Sequence, residues 1–170
     1  SVMRKIPESF STVKKGVWET GPFRGNEVSG KTLGIIGCGR LGSKVSRVAV
    51  ALGMKVIAYD PYIVRFPKDV KAKSTQLDVL NEADIISLHV PLSKETKHLI
   101  NDNEIKQMKK GVVIINTSRG AIIKTSALLN GLKNKKISAA ALDVIEGEHS
   151  IGKVFHPLVE YACEHNNLLI

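Results

Sequence analysis

The chain has few cysteines. Its 170 residues include only Cys38 and Cys163, far apart in unlike contexts, so neither a disulfide framework nor a C-x-x-C metal site is available. This usage fits a reducing compartment. Long apolar runs are missing as well: none approaches the roughly 18 residues a membrane-spanning helix needs, and Ser1–Pro7 lacks the apolar middle of a signal peptide. A cytoplasmic protein with no membrane partner is the expectation. Aromatic residues make up only 5% of the chain, and none interleaves with the basic residues. The net charge of +9 is carried by dispersed lysines: Lys68, Lys71 and Lys73 in a loop, then Lys109 and Lys110, then Lys133, Lys135 and Lys136. The last two groups end apparent helices, where cations complement the helix dipole. With no nucleic-acid module in view, no nucleic-acid partner is expected.

What remains is ordinary for one domain with a substantial core: 43% hydrophobic and 24% charged residues. Its organising stretch is Gly34-Ile35-Ile36-Gly37-Cys38-Gly39-Arg40-Leu41-Gly42, an apolar run that breaks into G-x-G-x-x-G. Leu33 to Ile36 reads as a buried strand, and Ser43 to Leu52 as a helix with Val45, Val48, Ala49 and Leu52 on one face. The three glycines have distinct tasks. Gly37 permits the tight turn, Gly39 lets a pyrophosphate approach the backbone, and Gly42 lets the helix pack close to its strand. Phosphates then rest on the helix N-terminus, where unpaired N–H groups and the dipole favour negative charge.

A second apolar run, Lys55 to Tyr59, ends in Asp60, about 20 residues beyond the fingerprint, where an acid accepts hydrogen bonds from ribose hydroxyls. Asp60 would also repel a 2′-phosphate, which favours NAD over NADP; its alternative role is a turn residue before Pro61. Cys38 has two readings: a thiol whose pKa a helix N-terminus lowers, or a small residue at a variable motif position.

Residues 9–18 read as the end of a helix, with Phe10, Trp18 and Phe23 docking the leader, and Gly21–Gly30 as a loop. Pro61–Lys73 reads as a loop, Ser74–Asn81 as a short helix with Leu77 and Leu80 inward, and Asp84–Val90 as the third strand, ending at Pro91. Two helical pieces follow, Lys94–Ile100 and Asn101–Met108, the second capped by Asn101 or Asp102. Gly111–Asn116 is an unbroken β-branched run of the kind buried on both faces of a parallel sheet. Thr125–Asn134 predicts a helix, Ile137–Leu142 a fifth strand, Pro157–Glu164 a helix after a loop, and Leu168–Ile170 a sixth strand. Such alternation predicts an α/β, doubly wound Rossmann sheet, parallel, of order 3-2-1-4-5-6, with helices on both faces.

In such sheets ligands bind beyond the carboxyl ends of the strands. Gly37–Gly42, Asp60, Val90-Pro91, Thr117–Arg119 and Asp143 stand there. Arg119 could fork onto a substrate carboxylate or carbonyl, or pair with a neighbouring acid. His89 is expected to line the cofactor side, while Glu148, His149 and His156 fit no standard ligand spacing, so no metal is expected.

Through Gly30–Gly37, Tyr59-Asp60-Pro61, His89-Val90-Pro91-Leu92, Asn116-Thr117-Ser118-Arg119-Gly120 and Ala141-Leu142-Asp143-Val144, the sequence resembles the D-isomer-specific 2-hydroxyacid dehydrogenases. The resemblance covers most of the chain. It implies an NAD-binding domain over 1–170, with 1–29 a leading helix and loop and 30–170 the Rossmann core. By that resemblance Gly37, Gly39, Arg40, Leu41 and Gly42 hold the pyrophosphate, Asp60 the adenosine ribose, and Val90 and Pro91 the cofactor's middle. Thr117 and Asp143 lie on the nicotinamide side, and Thr96 and Ser118 join the cofactor-binding set. Arg119 would be the catalytic arginine, and Glu148 the glutamate that pairs with a catalytic histidine. The family often places an aromatic after Asp-Val and a Glu-Pro pair, where this chain has Ile145 and Glu148-His149.

The family's histidine follows the strand that begins here at Leu168, so the expectation is an excised cofactor domain lacking its substrate domain and its general acid, and inactive by itself. The complete protein would be a homodimer moving hydride between NAD(H) and a 2-hydroxy or 2-oxo acid. The alternative is an NAD-sensing interaction protein, since the architecture also resembles that of NAD-dependent corepressors.

Overall fold

Strand pairing accounts for the architecture of the computed structural model, which describes residues 2–150 and 155–170. Among them seven strands form one parallel sheet: β1 (Thr32–Ile36), β2 (Lys55–Tyr59), β3 (Val70–Ala72), β4 (Ile85–Leu88), β5 (Val112–Asn116), β6 (Ile137–Leu142) and β7 (Leu168–Leu169). Their spatial order is β3-β2-β1-β4-β5-β6-β7. The helices are α1 (Ile6–Lys14), α2 (Arg40–Ala51), α3 (Gln76–Glu82), α4 (Asp102–Gln107), α5 (Thr125–Lys133) and α6 (Pro157–Glu164).

Successive side chains of a strand point to opposite faces, and here both faces are apolar. Ile86, Leu88, Val112 and Ile114 join Val79 and Leu80 of α3, Ile105 of α4, Leu128 and Leu132 of α5, and Leu158 of α6 in one core. Leu33, Ile35, Val56, Ile85 and Val113 form the other with Ala49 of α2, and Val2 and Met3 pack against them. The sheet therefore carries helices on both faces. The chain leaves β1 toward β2 on one side and returns to β4 on the other, so a crevice opens between the exits of β1 and β4.

The predicted order 3-2-1-4-5-6 extends to seven strands, because one more strand joins the edge and each expected strand from the third on moves up one place. Its third strand is Val70–Ala72, inside the stretch expected to be a loop, and the Asp84–Val90 run is β4. Three residues at a sheet edge carry too little pattern of their own; β3 exists because β2 offers it partners. Lys94–Ile100 forms turns rather than a helix. The Thr96 hydroxyl donates to Pro91 O (2.6 Å) and accepts from Ser93 N (2.7 Å), and such local bonds compete with helical ones. Asn101 does cap α4, reciprocally with Glu104.

Three packing expectations change as well. Val48 of α2 and its C-cap Leu52 are exposed, because Gly42, Ser46 and Ala49 face the sheet and let the helix lie close. In α3, Leu77 is exposed while Val79 and Leu80 are buried. The capping box of Thr75 and Asp78 starts that helix so that Leu77 falls outside the buried arc. The leader docks without two of its three aromatics: Trp18 is 81% and Phe10 66% exposed while Phe23 is half-buried, and α1 buries no residue. Its attachment lies at Val2 and Met3, which pack against the core beneath α2, while Met3 O accepts from Asn26 N at 2.9 Å and closes the leader on itself. The loop before Pro157 was expected over positions that include 151–154, outside the described residues.

At the opposite, amino edge of the sheet, Asp84 joins three strands. Its carboxylate accepts from Thr32 N (2.8 Å) and Lys109 Nζ (2.9 Å), and its own N–H donates to Thr32 O (2.9 Å). Burial alone would raise its pKa, but the Lys109 and Thr32 bonds hold it below the ordinary aspartate value. A depressed carboxyl contributes stability above its unfolded pKa and loses it as pH falls through the folded one. Asp84→Ala should cost about 1 kcal/mol at neutral pH, given its partial exposure. In urea melts that gap should close as pH falls below the ordinary aspartate value and through the depressed folded one; a gap that persists in stronger acid would mean the effect is not the charge's.

Candidate functional site

The loop between β1 and α2 is shaped by backbone contacts that leave no room for side chains. Gly37 has φ +89°, and a Cβ there would lie 2.6 Å from His89 O and 2.8 Å from Val90 Cγ1. A Cβ on Gly42 would overlap Gly37 O. At Gly39, the N-cap of α2, nothing lies within 4 Å of the Cβ position, and no side chain caps the helix. Its first-turn N–H groups, which the helix cannot satisfy itself, therefore face open space beside the exposed Arg40 and Leu41. This donor set fits a pyrophosphate.

Asp60, at the end of β2, has a fixed carboxylate. Oδ2 accepts from Cys38 N and Oδ1 from Tyr62 N, each at 2.9 Å. The turn role and the ligand role weighed for it are compatible, since each oxygen keeps a second lone pair for a ribose hydroxyl. Cys38 itself is buried, and burial pushes its thiol pKa up, with Asp60 adding to the rise and Ser43 opposing it. Of its two readings, the small residue at a variable motif position fits this burial and the lowered thiol pKa does not.

Val90 is half-buried beside Gly37 and Pro91 is exposed. The hydroxyl of Thr96 is occupied in its own turn, as described above. His89 turns back into the fold: its Nε2 lies 2.9 Å from Ser87 Oγ, and burial lowers its pKa, favouring the neutral ring.

Beyond β5 the exposed Thr117 and Arg119 are held by a residue the sequence reading did not single out. Asn116 is fully buried; its Oδ1 accepts from Ser118 N (3.0 Å) and its Nδ2 donates to Arg119 O (2.9 Å). Ser118 Oγ in turn donates to Leu88 O at 2.7 Å, tying the turn to β4. A polar residue closing a β-branched run was the available signal. Arg119 Nη1 donates to Ser118 O (2.7 Å). Asp143 is exposed at the end of β6, its N–H donating to Asn116 O (2.9 Å). Glu148 lies in a 3-10 turn, exposed, with Oε2 accepting from Ile145 N at 3.3 Å. No ion pair joins Arg119 and Glu148 among the described residues. The sequence reading also missed a hydrogen-bonded contact between His98 Nε2 and Glu146 Oε1, 2.6 Å apart.

All the predicted positions but Thr96 thus lie at or just beyond the carboxyl ends of the strands, and known proteins share the fold that puts them there. The family model for the D-isomer specific 2-hydroxyacid dehydrogenase NAD binding domain matches residues 1–170. D-3-phosphoglycerate dehydrogenase of Methanocaldococcus jannaschii is 47% identical over 151 residues, 85% of this chain and 28% of that protein. The Bacillus subtilis enzyme of the same name is 45% identical over 94% of this chain and 31% of its own length. Hydroxypyruvate reductase of Thermotoga maritima is 45% identical over 85% of this chain and 47% of its length. Among solved structures, Salmonella D-lactate dehydrogenase superposes with a TM-score of 0.88 at 32% identity, covering 99% of this chain and 54% of that one. D-lactate dehydrogenase of Aquifex aeolicus, complexed with NAD and lactic acid, gives 0.86 at 34% identity, covering 99% and 54%. The chain spans about a third to a half of the length of these relatives. It belongs to the D-isomer specific 2-hydroxyacid dehydrogenase family, as that family's NAD-binding domain.

Proposed function

We propose that this domain positions NAD(H) along the exits of β1, β2, β4 and β5 in a dehydrogenase acting on a 2-hydroxy or 2-oxo acid. The observation that carries the reading is the open glycine loop with Asp60 fixed beside it, on the same edge of the sheet as Arg119. When bound, the nicotinamide accepts or supplies the hydride at C2 of the substrate. The chain's own residues do the holding. First-turn amides of α2 receive the pyrophosphate, Asp60 accepts from the adenosine ribose, and Val90 and Pro91 line the middle of the crevice. Thr117, Ser118 and Asp143 border its nicotinamide end. Arg119 turns its guanidinium to the substrate's carboxylate or carbonyl, and Glu148 stands ready to hold a charged histidine contributed by the rest of the enzyme. The relatives and neighbours named above are dehydrogenases and a reductase, which favours this reading over the corepressor one.

Large apolar side chains are exposed on the leader (Phe10, Val13, Trp18), on α2 (Leu41, Val48) and at its C-cap (Leu52), and exposed apolar side chains of this size suit an interface. They support the homodimer of this proposal, of which a cytoplasmic setting is also part.

Three measurements test these proposals. Calorimetric titration should give an NADH affinity at least about tenfold above that for NADPH, a difference of about 1.4 kcal/mol. Asp60→Asn, which keeps an oxygen for Cys38 N but removes the charge, should narrow the ratio, and equal affinities in the wild type would take Asp60 out of the ribose role. Sedimentation at micromolar concentration should show a dimer; a clean monomer would contradict the apolar surface as its interface. The 170-residue chain alone should leave NADH unoxidised with glyoxylate, pyruvate or hydroxypyruvate, since losing general acid catalysis costs a factor of about 10² to 10⁴ and substrate enclosure is lost with it. Turnover above a buffer blank would place the proton donor within these residues.

A further inference from the structure

One carboxylate joins the loops that leave β4, β5 and β6. Glu146 Oε1 lies 2.6 Å from Nε2 of His98, in the loop after β4. Its Oε2 accepts from Thr125 Oγ1 at 3.2 Å, where the loop after β5 enters α5. Its backbone carbonyl is 2.8 Å from Nε2 of His156. The His98 ring is delivered there by the backbone: residue 98 takes φ +53°, sparsely populated for a side-chain-bearing residue, and its N–H donates to Ala121 O at 2.8 Å. The pairing continues through Ile100 N to Ile122 O (3.1 Å) and Lys124 N to Ile100 O (2.9 Å). Gly120 completes the junction, because a Cβ there would overlap the backbone of Ile145 and Glu146.

Both proposed catalytic side chains hang from this junction. Arg119 immediately precedes Gly120. Glu148 is two residues past Glu146, and its N–H donates to Ile145 O at 3.3 Å. Burial alone would raise the pKa of Glu146, but the bond and charge of His98, with Thr125, hold it below the ordinary glutamate value. The carboxylate is therefore charged wherever the protein is folded near neutral pH.

Resting on the dehydrogenase reading, we infer that His98 and Glu146 are positioning residues for the reaction. Their pair locks the loops after β4, β5 and β6 so that Arg119 and Glu148 face one substrate. Magnitudes separate this from a merely structural role. The two side chains are 35% and 32% exposed, and a pair so placed contributes at most about 1 kcal/mol to stability. A displacement of about 1 Å at the reacting groups, by contrast, can cost a factor of about 10² in rate.

The test uses His98→Leu, Glu146→Gln and the double variant in the complete dehydrogenase that contains this domain, with NADH and glyoxylate, pyruvate or hydroxypyruvate. Each single variant should lower kcat about 10- to 100-fold while KM for NADH and the melting temperature stay close to wild type. The double variant should be no worse than the poorer single one, and His98→Gln, which can still hydrogen-bond to Glu146, should recover part of the loss. In the 170-residue chain, amide exchange at Ile122 and Glu148 should accelerate about tenfold or more in His98→Leu, with β1 and β5 unchanged. Wild-type kcat and wild-type exchange in the single variants would overturn the inference, as would a collapse in melting temperature with parallel loss of NADH affinity. If the wild-type dehydrogenase reduces none of these acids, the dehydrogenase reading fails instead, and the exchange data still decide whether the pair holds the loops.

Discussion

The close approach of backbone to backbone at the exit of β1 is the constraint from which the rest of the structure follows. Gly42 sets the start of α2 against the carbonyl of Gly37, and Gly37 lies against the carbonyl of His89 at the exit of β4. On the other face, a Cβ at Gly34 would lie 2.6 Å from Val79 Cγ1 and 2.7 Å from Ala83 Cβ, so α3 presses on β1 as closely as α2 does. A strand held from both sides fixes where the helix N-terminus points, and with it where a negative charge is stabilised. Asp60 then needs only to end the neighbouring strand to stand beside that point.

Much of this was legible because the fold repeats strong local signals. The β-branched run ending at Asn116 is β5, Ile137–Leu142 is β6 without adjustment, and α6 begins at Pro157, whose missing N–H costs nothing in a first turn. Elements whose existence depends on neighbours were not legible. Val70–Ala72 becomes a strand only because the edge of β2 is open to it, and the Lys94–Ile100 segment loses its helix to hydroxyl bonds among Ser93, Thr96 and Pro91. Of the apolar face expected on α2, only Val45 and Ala49 turn inward. Hydrophobicity marks what prefers burial, whereas this interface is set by what is small enough to lie close to the sheet, namely Gly42, Ser46 and Ala49.

The site divides along the same line. Positions at strand ends could be read from the alternation of elements, so Gly37–Gly42, Asp60, Arg119 and Asp143 were found at one edge. The bonds that hold them could not, because their partners are remote in sequence and follow no period. Cys38 meets Asp60 across 22 positions, Ser118 meets Leu88 across 30, and His98 meets Glu146 across 48. Fully buried Asn116 was half-visible, since a polar residue closing an apolar strand must have partners, but only the fold says that those partners are the backbone of Ser118 and of Arg119.

Binding and chemistry are thus supported by different kinds of structure. The proposed pyrophosphate cradle is made from main-chain groups around glycines, with the Asp60 carboxylate pinned beside it, and it is buttressed by cores on both faces of the sheet. The groups assigned to the reaction, Arg119 and Glu148, are exposed side chains on loops, and what fixes those loops is a handful of polar contacts: Asn116 beneath one, Ser118 on Leu88, and Glu146 between His98 and Thr125. Opening such contacts costs far less than opening the sheet. A domain built this way can hold its cofactor tightly while its reactive edge stays adjustable, so substitutions around Glu146 should act on turnover before they act on cofactor affinity.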